Sequence, residues 1–163
     1  MRPDVAFERS FREMLEELGP GGGGARGTPE ALPFTTFSGY VNRLRSLSDR
    51  PFDGVRRDIL WLVDGERFLG RATVTHTLTE RMRDQGGNIS YFIRPSARGL
   101  GYGKRILVLA LEHARSIGLT DVLVTVLSDN PASERVIQAV GAQLQSVTDL
   151  RDGRERRRYF LTL

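Results

Sequence analysis

One arginine, three alternating glycines and a lysine mark the most chemically loaded stretch of this chain: Arg98, Gly99, Gly101, Gly103 and Lys104, within RPSARGLGYGKR (residues 94–105). The run that follows, ILVLALEHARSIG, has helical spacing, with Leu107, Ala110, Leu111, Ala114 and Ile117 on one face. The first N–H groups of a helix have no partner inside it and lie at the positive end of its dipole. Glycine lets a bulky anion approach that backbone with no Cβ in the way. The chemistry suited to this stretch is therefore phosphate or pyrophosphate binding. The plainer alternative is a tight strand-to-helix turn in which the glycines serve conformation alone. Neither the G-x-G-x-x-G spacing of a dinucleotide site nor the G-x-x-x-x-G-K-[ST] of a Walker loop is present.

The elements that must position this stretch can be read along the chain. Val5, Phe7, Phe11, Met14, Leu15 and Leu18 predict an amphipathic helix over 4–18. GPGGGGARGTPE, residues 19–30, reads as a flexible loop. FSGYVNRLRSLS, 37–48, predicts a second helix ending before Pro51. Two β-rich runs, 58–63 and 66–77, flank Asp64-Gly65, which predicts a hairpin with both central residues at positive φ. Residues 78–86 are polar and read as irregular or one helical turn, and NISYFIR (88–94) reads as a short strand ended by Pro95. After the long helix, DVLVTVL (121–127) is apolar enough for a strand buried on both faces. Asn130-Pro131 opens a helix over 131–140, and a final hairpin turns at Asp152-Gly153. Antiparallel strands, then a β-α-β crossover, then a hairpin predict a mixed sheet with helices packed on it, α+β or α/β in class. One domain over 1–163 accommodates all of these elements.

Composition narrows the function. Apolar residues at 39% and charged residues at 27% fit an ordinary globular chain. The absence of cysteine excludes disulfides, thiolate metal sites and cysteine nucleophiles, and no metal-ligand cluster stands out. No apolar run approaches the roughly 20 residues of a membrane span, so the expectation is a cytoplasmic protein with no membrane partner. The net charge of +4 invites a nucleic-acid reading. Yet 23 of the 24 basic residues are arginine and acids are interspersed among them, which argues against a designed basic surface. Near the C-terminus, Arg154, Arg156 and Arg158 would share one strand face, either solvated or facing an acidic partner.

Arg98-Gly99-Leu100-Gly101-Tyr102-Gly103 matches the R/Q-x-x-G-x-G/A motif of the GNAT superfamily of N-acetyltransferases. GGNISYFIRPSARGLGYG and DNPASERVIQAVGA resemble a bacterial group of predicted GNAT acetyltransferases, well over residues 55–163 and loosely over 1–54. The resemblance implies a GNAT-like, mostly antiparallel central sheet with flanking helices. It implies acetyl-CoA as co-substrate, held between 88–94 and 121–127. The pantetheine arm would pair with backbone near Phe92 and Ile93, and the pyrophosphate would rest on Gly99, Gly101, Tyr102, Gly103 and Lys104, with Arg98 beside them. Asn130 would touch the pantetheine arm while also capping its helix.

Amide formation from a thioester needs a deprotonated amine, a stabilised oxyanion and, optionally, an acid for the leaving thiolate. The backbone N–H near Ile93 suits the oxyanion. In the resembling family a tyrosine acid stands seven residues after the asparagine; here that position is Ile137. Ser133, nearer the start of the same helix, is the substitute. His76 is the first candidate base, since imidazole titrates near neutrality; a structural sheet-edge histidine is its plainer role. Glu80 and Asp84 are acids placed to relay a proton or attract a cationic amine. Tyr91 and Phe92 alternate on their strand, one to each side, and His113 reads as a surface residue of the long helix. The expected activity is acetyl transfer from acetyl-CoA to a primary amine, small molecule or peptide, by direct attack in a ternary complex. A homodimer stays open. The alternatives are a non-catalytic acyl-CoA-binding sensor or regulatory module, for want of the tyrosine, and a basic RNA-associated protein.

Overall fold

A computed structural model describes residues 1–19, 36–51 and 53–163. Most of the glycine-rich segment 19–30 lies outside the described residues. A short 3-10 turn, Val5–Phe7, leads into α1 (Glu8–Leu18), followed by α2 (Phe37–Asp49), whose N-terminus is capped by Thr36, its Oγ1 accepting from the Gly39 N–H. Then come β1 (Arg57–Asp64), β2 (Arg67–Thr75), the short α3 (Glu80–Gln85), β3 (Ile89–Ile93), α4 (Tyr102–Ser116), β4 (Asp121–Leu127), α5 (Pro131–Gln138), β5 (Gln143–Asp149) and β6 (Glu155–Thr162). The element order matches the hydrophobic periodicity of the sequence.

The strands form two antiparallel three-stranded sheets, β1-β2-β3 and β4-β6-β5, rather than one continuous sheet. The last strand, β6, lies between β4 and β5. The first sheet is covered on one face by α1 and α2, around Phe11, Met14, Phe37, Val41, Trp61 and Phe68, with Phe11 stacked on Trp61 at 5.4 Å. Its other face joins the second sheet, α4 and α5 in a second core built from Val74, Ile89, Leu107, Ala110, Val124 and Ile137. A bulge in β2 opposite Leu62 and Val63 inserts Leu69, so Phe68 feeds the first core while Leu69 feeds the second.

Two turn assignments differ from the sequence expectation. Asp64 pairs with Arg67, so the first hairpin turns on Gly65-Glu66, and only Gly65 has positive φ, at 54°. A two-residue turn with glycine first needs just that one left-handed position, and Asp64 stays in the ladder. The second hairpin is wider: Asp149 pairs with Glu155, and Leu150 N–H closes the loop onto the Arg154 carbonyl at 2.8 Å. Arg154 therefore falls outside β6. Its guanidinium binds Asp152 and Asp129 rather than sharing a strand face with Arg156 and Arg158.

Candidate functional site

The turn between β3 and α4 has the predicted backbone. Gly99 and Gly101 sit at φ 77° and 82°, which only glycine adopts at little cost, and a Cβ on either would meet nothing. Gly103 differs: it is the second residue of α4, in helical conformation, and its Cβ would make ordinary contact with Val136 at 3.5 Å. Two of the three glycines thus set the turn, and the third stands where a small side chain would fit. Gly101 is the N-cap and offers no side chain to the helix amides. The first bond made by α4 is from the Arg105 N–H to the Gly101 carbonyl at 3.2 Å. The N–H groups of Tyr102, Gly103 and Lys104 precede it and have no intrahelical acceptor. Lys104 is exposed. Arg98 turns back, its Nε donating to the Ile93 carbonyl at 3.0 Å.

Asn88 joins the two sheets. Its backbone N–H donates to the Leu123 carbonyl at 2.7 Å, and its Oδ1 accepts from the Leu123 N–H at 2.9 Å. Its Nδ2 donates to the Thr75 carbonyl at 3.1 Å, and its own carbonyl accepts from the Thr75 N–H at 2.7 Å. One buried side chain so binds β2, β3 and β4 together. Gly87 passes so close that a Cβ there would overlap the Leu123 carbonyl. Beyond this point no ladder joins β3 to β4 among the described residues, and the strands belong to separate sheets. A slot closed at Asn88 and open toward the glycine turn results.

The edge of β3 along this slot follows from its ladder with β2. Thr75 bonds Asn88, and the Arg94 N–H bonds the Leu69 carbonyl at 2.9 Å. Antiparallel alternation then turns the backbone of Ser90 and Phe92 toward β2 and that of Ile89, Tyr91 and Ile93 toward the slot. Ile93 presents its backbone to the slot. Phe92 does not; Tyr91 takes its place. The Phe92 ring packs against Phe68 in the α1–α2 core and lies under the Arg71 guanidinium. Tyr91 points to the opposite face, that of α4 and α5.

Across the slot, Asn130 caps α5, its Oδ1 accepting from the Ser133 N–H at 3.1 Å, with Pro131 at the first helical position. Ile137 is in the core and 1% exposed. The Tyr91 hydroxyl is buried, with the Ser133 side chain as its polar neighbour. Burial pushes its pKa up, and the neighbouring Ser133 side chain works against that rise.

His76 follows β2 at the closed end. Its Nε2 lies 2.9 Å from Asp58 Oδ2, and the same oxygen lies 2.8 Å from Nε2 of His113. His113 is thus half-buried and bonded rather than a free surface residue: α4 crosses the first sheet and brings its last turn over the start of β1. Burial favours a neutral Asp58, but His113, Ser48 and His76 outweigh it and hold the carboxyl down at about 2. An ionised carboxylate only accepts, so both histidines donate through Nε2, and Nδ1 carries the lone pair of each neutral ring. Sequence reading missed Asp58 because its partners lie 18 and 55 residues away. Glu80 is the first residue of α3, capped by Thr79, and Asp84 is in its last turn; both are exposed.

A second buried network fixes the slot's open end. Arg94, 3% exposed, binds Glu17 on α1, Ser10 Oγ at 3.0 Å and the Phe68 carbonyl at 3.0 Å. Glu17 also accepts from the Ser96 N–H at 2.9 Å.

A family model for the acetyltransferase (GNAT) domain matches residues 41–143. The chain belongs to the GNAT acetyltransferases. Solved GNAT structures share the fold at low identity. The Salmonella typhimurium acetyltransferase that modifies the N-terminal serine of ribosomal protein L7/L12 aligns with TM-score 0.60 at 16% identity, over 77% of this chain and 72% of that one. The ribosomal-protein-alanine N-acetyltransferase of Brucella melitensis aligns with TM-score 0.58 at 21% identity, over 75% and 77%. Salmonella typhimurium yncA, solved with acetyl-CoA, aligns with TM-score 0.58 at 20% identity, over 75% and 72%. Comparison with curated protein sequences finds no significant match. In this GNAT chain the described residues contain no cluster of histidine, cysteine and acidic residues able to hold a metal ion, and no helix among them is long and apolar enough to cross a membrane.

Proposed function

We propose that this chain transfers an acetyl group from acetyl-CoA to a primary amine within a ternary complex. The observation that carries the reading is the slot: a β3 edge with unpaired backbone groups, leading from three acceptor-less helix amides to a closed end beside a histidine–carboxylate pair. Acetyl-CoA fits this arrangement. Its pyrophosphate suits the Tyr102, Gly103 and Lys104 N–H groups and the Gly99-Gly101 turn, with Arg98 adjacent. Its pantetheine arm suits the Tyr91 and Ile93 backbone, in the manner of an added strand, with Asn130 opposite. When bound it supplies an activated thioester.

The chain's own residues do the rest. His76 lies at the Asn88 end of β3, about five strand residues from Ile93, so it takes the amine proton at Nδ1 through intervening water while Asp58 holds the ring through Nε2. Glu80 and Asp84, exposed on α3, draw in a cationic amine. The amine nitrogen bonds to the thioester carbonyl carbon, and the Ile93 N–H, directed into the slot, stabilises the oxygen as charge builds on it. The C–S bond then breaks with its electron pair on sulfur. Ser133, with the buried Tyr91 phenol beside it, relays the second proton of the nitrogen to that sulfur, its hydroxyl giving one proton and taking up the other. With no cysteine in the chain, the amine attacks directly.

The test is thiol release from acetyl-CoA against a panel of amines, with Ile93→Pro as control. The Ile93 N–H is not in the β2 ladder, so proline removes the oxyanion donor without removing a sheet bond. The variant should fold and lose on the order of 10²–10³ in kcat. Full activity in Ile93→Pro would reassign the donor. Acetyl-CoA binding with no thiol release for any amine would favour an acyl-CoA sensor.

A further inference from the structure

The second sheet has one face covered by α4 and α5. Toward its other face, a cavity of about 350 Å³ lies between the β2–α3 segment and β4-β6-β5. Asn88 and Leu123, the closed end of the slot, form part of its wall, and so does His76. Arg83 of α3 and Arg158 of β6 line it as well. Leu123 and Phe160 face each other across the β4–β6 ladder and give it an apolar floor.

The arginines of this cavity differ from their neighbours. Arg154 and Arg157 on the same hairpin are each held by two carboxylates. Arg158 has none: its Nε is buried and without a hydrogen-bond partner among the described residues. Arg83 also makes no ion pair with the described residues. The acidic residue in the lining, Asp121, is occupied by the Thr162 hydroxyl at 3.2 Å and the Thr120 hydroxyl at 2.9 Å. Leaving a guanidinium N–H buried and unbonded costs free energy that a bound anion recovers. A planar guanidinium fork matches a carboxylate in both geometry and charge.

We infer that this cavity receives the acidic end of the acceptor, an amine that carries a carboxylate, with Arg158 and Arg83 on the carboxylate and the amine toward His76, beside the closed end of the slot. The inference rests on the acetyl-transfer reading of the slot and narrows its acceptor to amino-acid-like molecules or a peptide end that keeps a free carboxylate nearby. It also gives the unpaired arginine on β6 an acidic partner.

Two measurements test it. In the first, the arginine Nε–H resonances are followed by NMR as N-acetylglycine, N-acetylglycinamide or inorganic phosphate is added to the full chain. The Arg158 resonance should shift with N-acetylglycine and not with the amide. A shift with phosphate alone, or with none of the three, overturns the site whether or not the enzyme is active. In the second, thiol release is compared for amino acids and their carboxamides in wild type, Arg158→Gln and Arg83→Gln. Carboxylates should be preferred. Arg158→Gln should raise KM for them by about tenfold or more, with kcat and the amide kinetics little changed. Equal turnover of acids and amides overturns the proposal. A carboxylate-dependent Arg158 shift with no thiol release for any amine removes the acetyl-transfer reading and, with it, the acceptor assignment, while the anion site itself stands.

Discussion

Asn88 concentrates more consequence in one side chain than any other residue of the slot. Its amide replaces a strand N–H against the Thr75 carbonyl, which frees its backbone N–H for Leu123. Asn88→Ala deletes two buried side-chain bonds and leaves the Leu123 N–H and Thr75 carbonyl without partners, so a loss of about 2 to 4 kcal/mol is expected from urea denaturation. The same variant unties β3 from β4, so acetyl-CoA binding should weaken in the fraction that folds. A stability change below about 0.5 kcal/mol would show that the sheets are joined by other means. Tyr91 makes a second claim at this scale. Tyr91→Phe removes a hydroxyl with no bond to lose, so stability should hardly change. If the phenol supports Ser133 as the acid, kcat should fall about tenfold with KM for the amine retained, and the basic limb of the pH–rate profile should move. An unchanged profile would leave Ser133 to act alone. Neither role was legible beforehand. GGNIS reads as a polar lead-in to a strand, and alternation places Tyr91 and Phe92 on opposite faces without saying which faces the helix.

At the scale of elements, the glycine turn and α4 were legible because their signals are local: positive-φ glycines, then a helical apolar stripe. The same local logic misplaced the first hairpin by one residue, since Asp-Gly marks a turn without fixing which two residues occupy its centre. The position of β6 between β4 and β5 is a long-range outcome that no local pattern encodes. The structure also separates the three glycines, which the sequence treats alike. Gly101→Ala forces a side chain to φ 82° at the N-cap of α4 and should cost on the order of 1 kcal/mol. Its larger effect should be on KM for acetyl-CoA, because the strained turn re-aims the free amides. Gly103→Ala, meeting Val136 at an ordinary 3.5 Å, should preserve stability or raise it slightly by favouring the helix. Equal KM changes in the two variants would mean that bulk near the amides, rather than turn geometry, decides binding.

For the whole molecule, two charged networks fasten helices across the first sheet: Glu17–Arg94 ties α1 to the end of β3, and Asp58 ties α4 to β1 through His113. Both couple residues far apart in sequence, which is why neither was anticipated from composition or motif. They also set the response to acid. Burial alone would raise the Glu17 carboxyl, but Arg94 and Ser96 overcome it and hold it down at about 2, as the histidines and Ser48 hold Asp58. A carboxyl whose folded pKa lies below its unfolded value stabilises the fold at pH above the unfolded value. That contribution is lost as pH falls from about 4.5 toward 2; at neutral pH it amounts to on the order of 2 kcal/mol for Asp58 and, screened by solvent at the exposed Glu17, to about 1 kcal/mol there. Glu17→Gln isolates one of them. At pH 7 it removes the charge that balances the buried Arg94 guanidinium, and the variant should be less stable than wild type by about that amount. Wild type surrenders the same term as Glu17 protonates, so the two stability curves should converge between pH 4.5 and 2. Denaturation of both proteins across that range decides the matter: a gap that stays constant with pH would mean that Glu17 contributes shape and hydrogen bonding rather than charge.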